Sequence, residues 1–274
     1  MAPEPDPRII AAITAAVGDA GGRRPVVLGI CGAQGSGKTT LARGLEQAAM
    51  QRGTPAASLS LDDLYLRRAA REELARTVHP LLRTRGVPGT HDIPLGLGVL
   101  AALDRGEAAA LPRFDKARDD RLPPASWDRA PAGTELVILE GWCVGARPQV
   151  PAALTKPVNA LEARSDPHGV WRRFANDALA GPYQRLFARI DVLVLLAAPS
   201  FDVVFDWRLQ QETELREQAG PDAPGVMDAA GVARFIQHYE RLTRHILMEM
   251  PPRADVLVTL AEDRTPMSIG FLSD

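Results

Sequence analysis

Gly32, Ala33, Gln34, Gly35, Ser36, Gly37, Lys38 and Thr39 together satisfy the pattern G-x-x-x-x-G-K-[ST]. The run follows a short apolar segment, residues 26–31, and opens a helix-like segment, residues 39–51. A strand that ends in glycines and turns directly into a helix leaves backbone N–H groups facing one concavity. The partial positive charge of a helix N-terminus lies beside them. Such a loop holds phosphate. Lys38 is placed to reach the β- and γ-phosphates of a nucleotide, and the Thr39 hydroxyl to ligate Mg²⁺, with Thr40 carrying the loop into the helix. The alternative, a glycine-rich turn that binds nothing, fits the strand–loop–helix context less well.

The rest of the chain supplies a sheet to present that loop. Apolar runs recur at residues 57–61, 135–139, 192–196 and 255–260, separated by helical patterns. Continuous apolar strands between helices imply a parallel sheet covered on both faces. The expected fold is therefore α/β, a P-loop NTPase with a five-stranded, mainly parallel sheet. Helices are predicted at residues 9–17, 170–187, 201–218 and 231–250. In the last of these Phe235, Tyr239, Leu242 and Ile246 form an apolar stripe that reads as core packing. Residues 77–131 differ, being rich in Gly, Pro, Arg and Asp, with one helical patch at 94–105. Loops of that length inside a compact unit usually carry function, so this insertion is expected to bind a second substrate. No internal repeat or linker divides the chain, and residues 1–274 read as one domain.

Composition removes several classes of function. With 46% hydrophobic residues the chain is not a disordered one, and a net charge of −2 gives no basic field for nucleic acid. Two cysteines, Cys31 and Cys143, make no disulfide framework and no zinc motif, and read as small buried side chains. No apolar run approaches the roughly 18 residues of a membrane span. The opening Met1-Ala-Pro-Glu-Pro-Asp-Pro7 is acidic and proline-rich, unlike a secretory leader, and a cytoplasmic location is the expectation. Only three of the 32 basic residues are lysines: Lys38, Lys116 and Lys156. Where arginine is the default cation, each lysine asks whether a compact ammonium was wanted.

Carboxylates stand where the chemistry would need them. The second strand ends in Ser60-Leu61-Asp62-Asp63-Leu64-Tyr65, at the sheet edge where open α/β folds bind ligands. Asp62 there can take the proton of a hydroxyl that attacks a γ-phosphate, or can serve a metal. Asp63 and Tyr65 are candidates for contact with the acceptor, with helix capping the competing duty for Asp63. The third strand ends in Glu140-Gly141-Trp142, the Walker-B pattern of an acidic residue that holds Mg²⁺ directly or through water. Phosphate-side and acceptor-side cations can be named too. Arg208 lies in the helix after the fourth strand, where a lid over the phosphates is expected at about residues 200–220. A small acidic acceptor needs cations for its carboxylate, and Arg85, His91, Lys116 and Arg121 supply them, with Asp92 and Asp115 for hydroxyls.

These segments in order, with Arg85-Gly-Val-Pro-Gly-Thr-His91-Asp92, Pro112-Arg-Phe-Asp-Lys116 and Trp207-Arg-Leu-Gln-Gln-Glu212, resemble the ATP-dependent D-glycerate 3-kinases of plant and fungal type. That family lies within the uridine kinase, phosphoribulokinase and pantothenate kinase superfamily. The resemblance runs from about residue 26 to residue 264. The phosphate loop and the Asp-rich strand end are common to the superfamily, whereas the Gly-Thr-His-Asp and Trp-Arg-Leu-Gln-Gln segments are more particular to the glycerate kinase branch. Leu64 stands where the family usually has Phe, a change of packing. The resemblance implies ATP as phosphate donor, Lys38 on the phosphates, Thr39 and Glu140 on Mg²⁺, Asp62 as base and Arg208 in the lid.

The leading expectation is a kinase moving the γ-phosphate of ATP to D-glycerate. A kinase for another polyol, hydroxy acid or nucleoside is the nearest alternative, although a nucleoside would want an aromatic clamp and the loops 77–121 hold few aromatics. A nucleotide-dependent switch or chaperone is the alternative from another class, and would turn over ATP with no small acceptor.

Overall fold

The computed structural model describes residues 5–20, 25–219 and 227–272. In chain order the strands are β1 (Val26–Gly32), β2 (Ala56–Ser60), β3 (Ala109–Leu111), β4 (Phe114–Asp115), β5 (Asp120–Arg121), β6 (Asp128–Ala130), β7 (Leu136–Gly141), β8 (Val192–Ala197), β9 (Val256–Leu260) and β10 (Pro266–Phe271). The helices are α1 (Pro7–Asp19), α2 (Lys38–Gln51), α3 (Arg68–Thr77), α4 (Ile93–Asp104), α5 (Ala160–Ser165), α6 (Val170–Ala178), α7 (Gln184–Phe187), α8 (Asp202–Ala219) and α9 (Ala229–Glu249).

The main sheet has the order β10-β9-β8-β1-β7-β2, and all its pairings are parallel except β9 with β10. Its five parallel strands are those the apolar runs predict. Every residue of β1, β7 and β8 is buried, as strands covered on both faces require. Alternate β1 residues serve opposite cores: Leu28 and Ile30 pack with Ile13 of α1 and Leu45 of α2, while Val27 and Cys31 pack with Leu100 of α4, Phe187 of α7 and Ile246 of α9.

The sheet has one strand more than the sequence predicts. Strand β10 is an antiparallel edge strand with Met267 and Phe271 exposed, so it shows no apolar run, and Pro266 is tolerated at its start. The helix predicted at 170–187 is α6 and α7 joined through a π-helical turn, Leu179–Tyr183, that contains Pro182. Helix α3 escapes prediction for a plain reason: its one fully buried side chain is Arg71, so it has no apolar stripe. Helix α8 matches the helix predicted at 201–218, and residue 220 of the expected lid lies outside the described residues. Among the described residues no helix is long and apolar enough to cross a membrane.

Topology brings the chemistry together. The chain leaves β1, passes over β7 and enters β2, so the carboxyl ends of three adjacent strands carry the glycine loop, Glu140 and Asp62. Ser60 and Ile30 both lie in register with Glu140 on either side of it.

Candidate active site

The glycine loop closes as its sequence demands. Gly35 adopts φ +83°, and a Cβ there would lie 2.6 Å from Cβ of Trp207, so α8 packs directly on the loop. Helix α2 starts at Lys38 with no side-chain cap, which leaves its first N–H groups for a ligand. The Thr39 hydroxyl donates to Oε1 of Glu140 at 3.3 Å. The Glu140 side chain is buried, and its Oε2 has no partner among the described residues. A buried carboxylate oxygen left unpaired is costly, and together with the hydroxyl beside it offers two hard-oxygen donors of the kind that could hold Mg²⁺. Gly141 makes room for this strand end, because a Cβ there would meet Cβ of Leu61 at 2.6 Å.

The loop opens on a cavity of about 310 Å³ lined by Gln34, Gly35, Lys38, Thr39, Glu140 and Arg208. Asp62, Asp63, Tyr65, Arg85 and Lys116 line the same cavity. Asp62 sits in a 3₁₀ turn, Leu61–Leu64, that Ser60 caps by accepting from the Asp62 N–H. Its Oδ1 accepts from the Tyr65 hydroxyl at 2.9 Å, and its Oδ2 from Nζ of Lys116 at 2.7 Å. Burial pushes the Asp62 carboxyl up, but the charges of Lys116 and Lys38 and the bonds from Lys116 and Tyr65 outweigh it and hold the group below the usual carboxylate range. Lys116 is raised in turn, chiefly by Asp62. Arg85 is paired with Asp119 and lies over the ring of Phe114 at 5.6 Å.

No protein-family model matches the chain. It is 36% identical over 230 residues to an uncharacterized kinase, mug58, of Schizosaccharomyces pombe, a match spanning 79% of each chain. The chain belongs to the P-loop kinase family that includes D-glycerate 3-kinase. It is 30% identical over 260 residues to the chloroplastic D-glycerate 3-kinase of Arabidopsis thaliana, a match covering 89% of this chain and 54% of that protein. The fold matches the D-glycerate 3-kinase of Cryptococcus neoformans with a TM-score of 0.80 at 23% identity, over 97% of this chain and 98% of the other. The protein is thus an ATP-dependent kinase with a hydroxyl acceptor.

Several residues expected at the acceptor end of the kinase sit elsewhere. His91 is not in the cavity lining. It is buried behind Tyr65, the two rings stacked with centroids 4.5 Å apart, and its Nδ1 meets the Tyr183 hydroxyl at 2.5 Å. Burial lowers its pKa to about 3, so it brings no positive charge to a carboxylate. Asp92 caps α4 through the Leu95 N–H and pairs with Arg121 at 3.1 Å, which commits both to holding the insertion together. Asp63 lines the cavity and caps no helix among the described residues; it accepts from the Phe114 N–H at 2.9 Å and from Arg113 at 3.0 Å. Arg208 reaches the cavity lying over Phe235 at 5.6 Å and paired with Glu212. Ser36, Gly37 and Thr40 open instead on a separate depression bounded by residues 263–266.

Sequence reasoning assigned Tyr239 and Phe235 to the core alone, and both also wall the cavity of the kinase, as does Trp142. Tyr239 donates to the carbonyl of Arg85 at 3.2 Å and meets the Trp142 ring edge-on at 4.9 Å. Their helical and strand-end positions were visible, but an aromatic at a core edge has the same pattern as one inside it.

Proposed function

We propose that this kinase phosphorylates D-glycerate to 3-phosphoglycerate with Mg²⁺-ATP, and that one observation carries the reading. Two cations, Arg85 and Lys116, line one cavity together with the carboxylate of Asp62 and with Lys38 of the glycine loop. A small hydroxy acid needs those two things together, a cation for its carboxylate and a proton acceptor for its hydroxyl. The names of the Arabidopsis and Cryptococcus relatives point the same way.

In this reading Lys38 and the loop N–H groups hold the β- and γ-phosphates. The adenine end of ATP extends toward the depression beside Thr40 and residues 263–266. Thr39 and Glu140 would hold Mg²⁺, whose charge offsets that of the transferring phosphate. Asp62 accepts the proton of the attacking hydroxyl, Tyr65 fixes the orientation of that carboxylate, and Arg208 meets the charge on the phosphoryl oxygens. Arg85 takes the acceptor carboxylate.

An ADP-release assay across D-glycerate, L-glycerate, glycerol and nucleosides tests the assignment. D-glycerate is expected to dominate. Arg85→Ala should raise KM for glycerate by roughly one to two decades, the worth of a charge-assisted pair, and leave KM for ATP nearly unchanged. Equal turnover of glycerol or a nucleoside would remove the carboxylate pocket, and ATP turnover indifferent to every acceptor would favour a nucleotide-dependent switch.

A further inference from the structure

Both oxygens of the Asp62 carboxylate are already taken, and one of them is taken by a residue that need not stay. Tyr65 is buried, and its bond to Oδ1 is part of the wall. Lys116, by contrast, has a side chain 61% exposed and stands just after β4 in the tight hairpin formed with β5. The turn is stiffened by Asp115, which accepts from the N–H groups of Ala117 and Arg118 at 2.9 and 3.1 Å. The root of the hairpin is tied beside the base through Asp63, which accepts from the Phe114 N–H.

The same turn reaches the other acceptor group. Asp119, held at φ 54°, pairs with Arg85 and also with Arg71 at 2.8 Å. Arg71 is 1% exposed and donates to the carbonyls of Leu66, Arg83 and Asp119. One hairpin therefore occupies the base with Lys116 and the carboxylate anchor with Asp119. Each contact is an ion pair that an anionic hydroxy acid can replace with an equivalent one.

We infer that Lys116 discriminates acceptor from water: it withholds the Asp62 carboxylate until an anionic acceptor draws its ammonium away. This inference rests on the phosphotransfer reading above. The cavity of about 310 Å³ has room for several waters. A water beside a free Asp62 carboxylate could attack the γ-phosphorus as the bond to the β,γ-bridging oxygen breaks, with one proton passing to Asp62. The products would be ADP and inorganic phosphate. With Lys116 on Oδ2 that carboxylate is a poor proton acceptor, and the wasteful reaction is held down. An acceptor carboxylate exchanges places with Asp119 at Arg85 and with Asp62 at Lys116, so Oδ2 opens as the acceptor hydroxyl arrives. A neutral polyol offers no such exchange and meets a base that stays masked.

The test compares wild type, Lys116→Met, Lys116→Arg and the double variant Asp62→Asn/Lys116→Met, each assayed for ADP release with and without D-glycerate. Lys116→Met should hydrolyse ATP without acceptor at least about tenfold faster than wild type, since unmasking a base recovers part of the 10²–10⁴ a general base supplies. The acid limb of that hydrolysis should move to higher pH, Asp62 having lost its nearest cation while keeping Lys38. The gain should vanish in the double variant, and Lys116→Arg, which keeps a cation beside Asp62, should hydrolyse ATP more slowly than Lys116→Met. Hydrolysis by Lys116→Met no faster than wild type, or a gain that survives Asp62→Asn, would overturn the inference. Fast acceptor-free hydrolysis by wild type would also overturn it, while leaving the kinase reading intact. A wild type silent toward glycerate whose hydrolysis still rises on Lys116→Met would support the latch and remove glycerate as its operator.

Discussion

Thr39 and Glu140 are separated by 101 residues, yet the hydroxyl of one lies 3.3 Å from a carboxylate oxygen of the other. The parallel pairing of β1 with β7 fixes this, because α2 springs from the end of one strand and Glu140 closes the other. The second oxygen of Glu140 is buried without a partner among the described residues. Changing Glu140 to Gln keeps the shape and removes the charge that would face Mg²⁺. Turnover should fall by orders of magnitude, and the Mg²⁺ concentration for half-maximal activity should rise. Thermal unfolding without nucleotide should stay level or gain on the order of 1 kcal/mol, as a poorly satisfied buried carboxylate is relieved. Unchanged Mg²⁺ dependence would separate Glu140 from the metal.

Lys38→Met removes the ammonium that, in the proposed reading, holds the β- and γ-phosphates. Turnover should fall by orders of magnitude, since phosphoryl transfer depends on positioning and charge neutralisation. Folding should be little affected, because Lys38 faces the open cavity and makes no ion pair among the described residues. Near-normal activity in this variant would dissociate the loop from catalysis.

Asp62→Asn keeps hydrogen-bonding capacity and removes the carboxylate proposed as the proton acceptor. Nucleotide binding should persist, measured by titration calorimetry, while kcat falls roughly 10²–10⁴-fold. Activity restored by high Mg²⁺ would instead make Asp62 a metal ligand.

What the sequence revealed followed from how locally each feature is encoded. The glycine loop, the five parallel strands and the carboxylates at two strand ends each announce themselves in fewer than ten consecutive residues. The hairpin chemistry does not. Asp119 matters because Arg71 and Arg85 converge on it from elsewhere, and α3, which carries Arg71, shows no apolar period. His91 misleads for the opposite reason. In a loop rich in Arg and Gly it reads as an exposed cation, whereas Tyr65 and Tyr183 enclose it in an aromatic pocket. Charge on a histidine is set by its surroundings, and those come from residues 26 positions before it and 92 after it.

That enclosure gives the fold an acid-sensitive point. His91 titrates at about 3 in the folded protein against an ordinary value of 6.5, because burial disfavours its charged form. The unfolded chain therefore binds a proton that the folded one refuses between those two values. Its contribution is fully present above pH 6.5 and is lost progressively as pH falls toward 3. At pH 5 the loss from this one group should be about 2 kcal/mol. His238 and His245 are also lowered by burial and add their own acid sensitivity, so the comparison must isolate one site. Urea unfolding at pH 7.5 and 5.0, in wild type and His91→Gln, does so. The variant should be less stable at pH 7.5, having lost the ring that stacks on Tyr65. Its further loss on going to pH 5.0 should be smaller than that of wild type by about 2 kcal/mol. If both proteins lose the same amount, His91 is already charged or exposed in the fold, and the pocket formed by Tyr65 and Tyr183 does not exclude water.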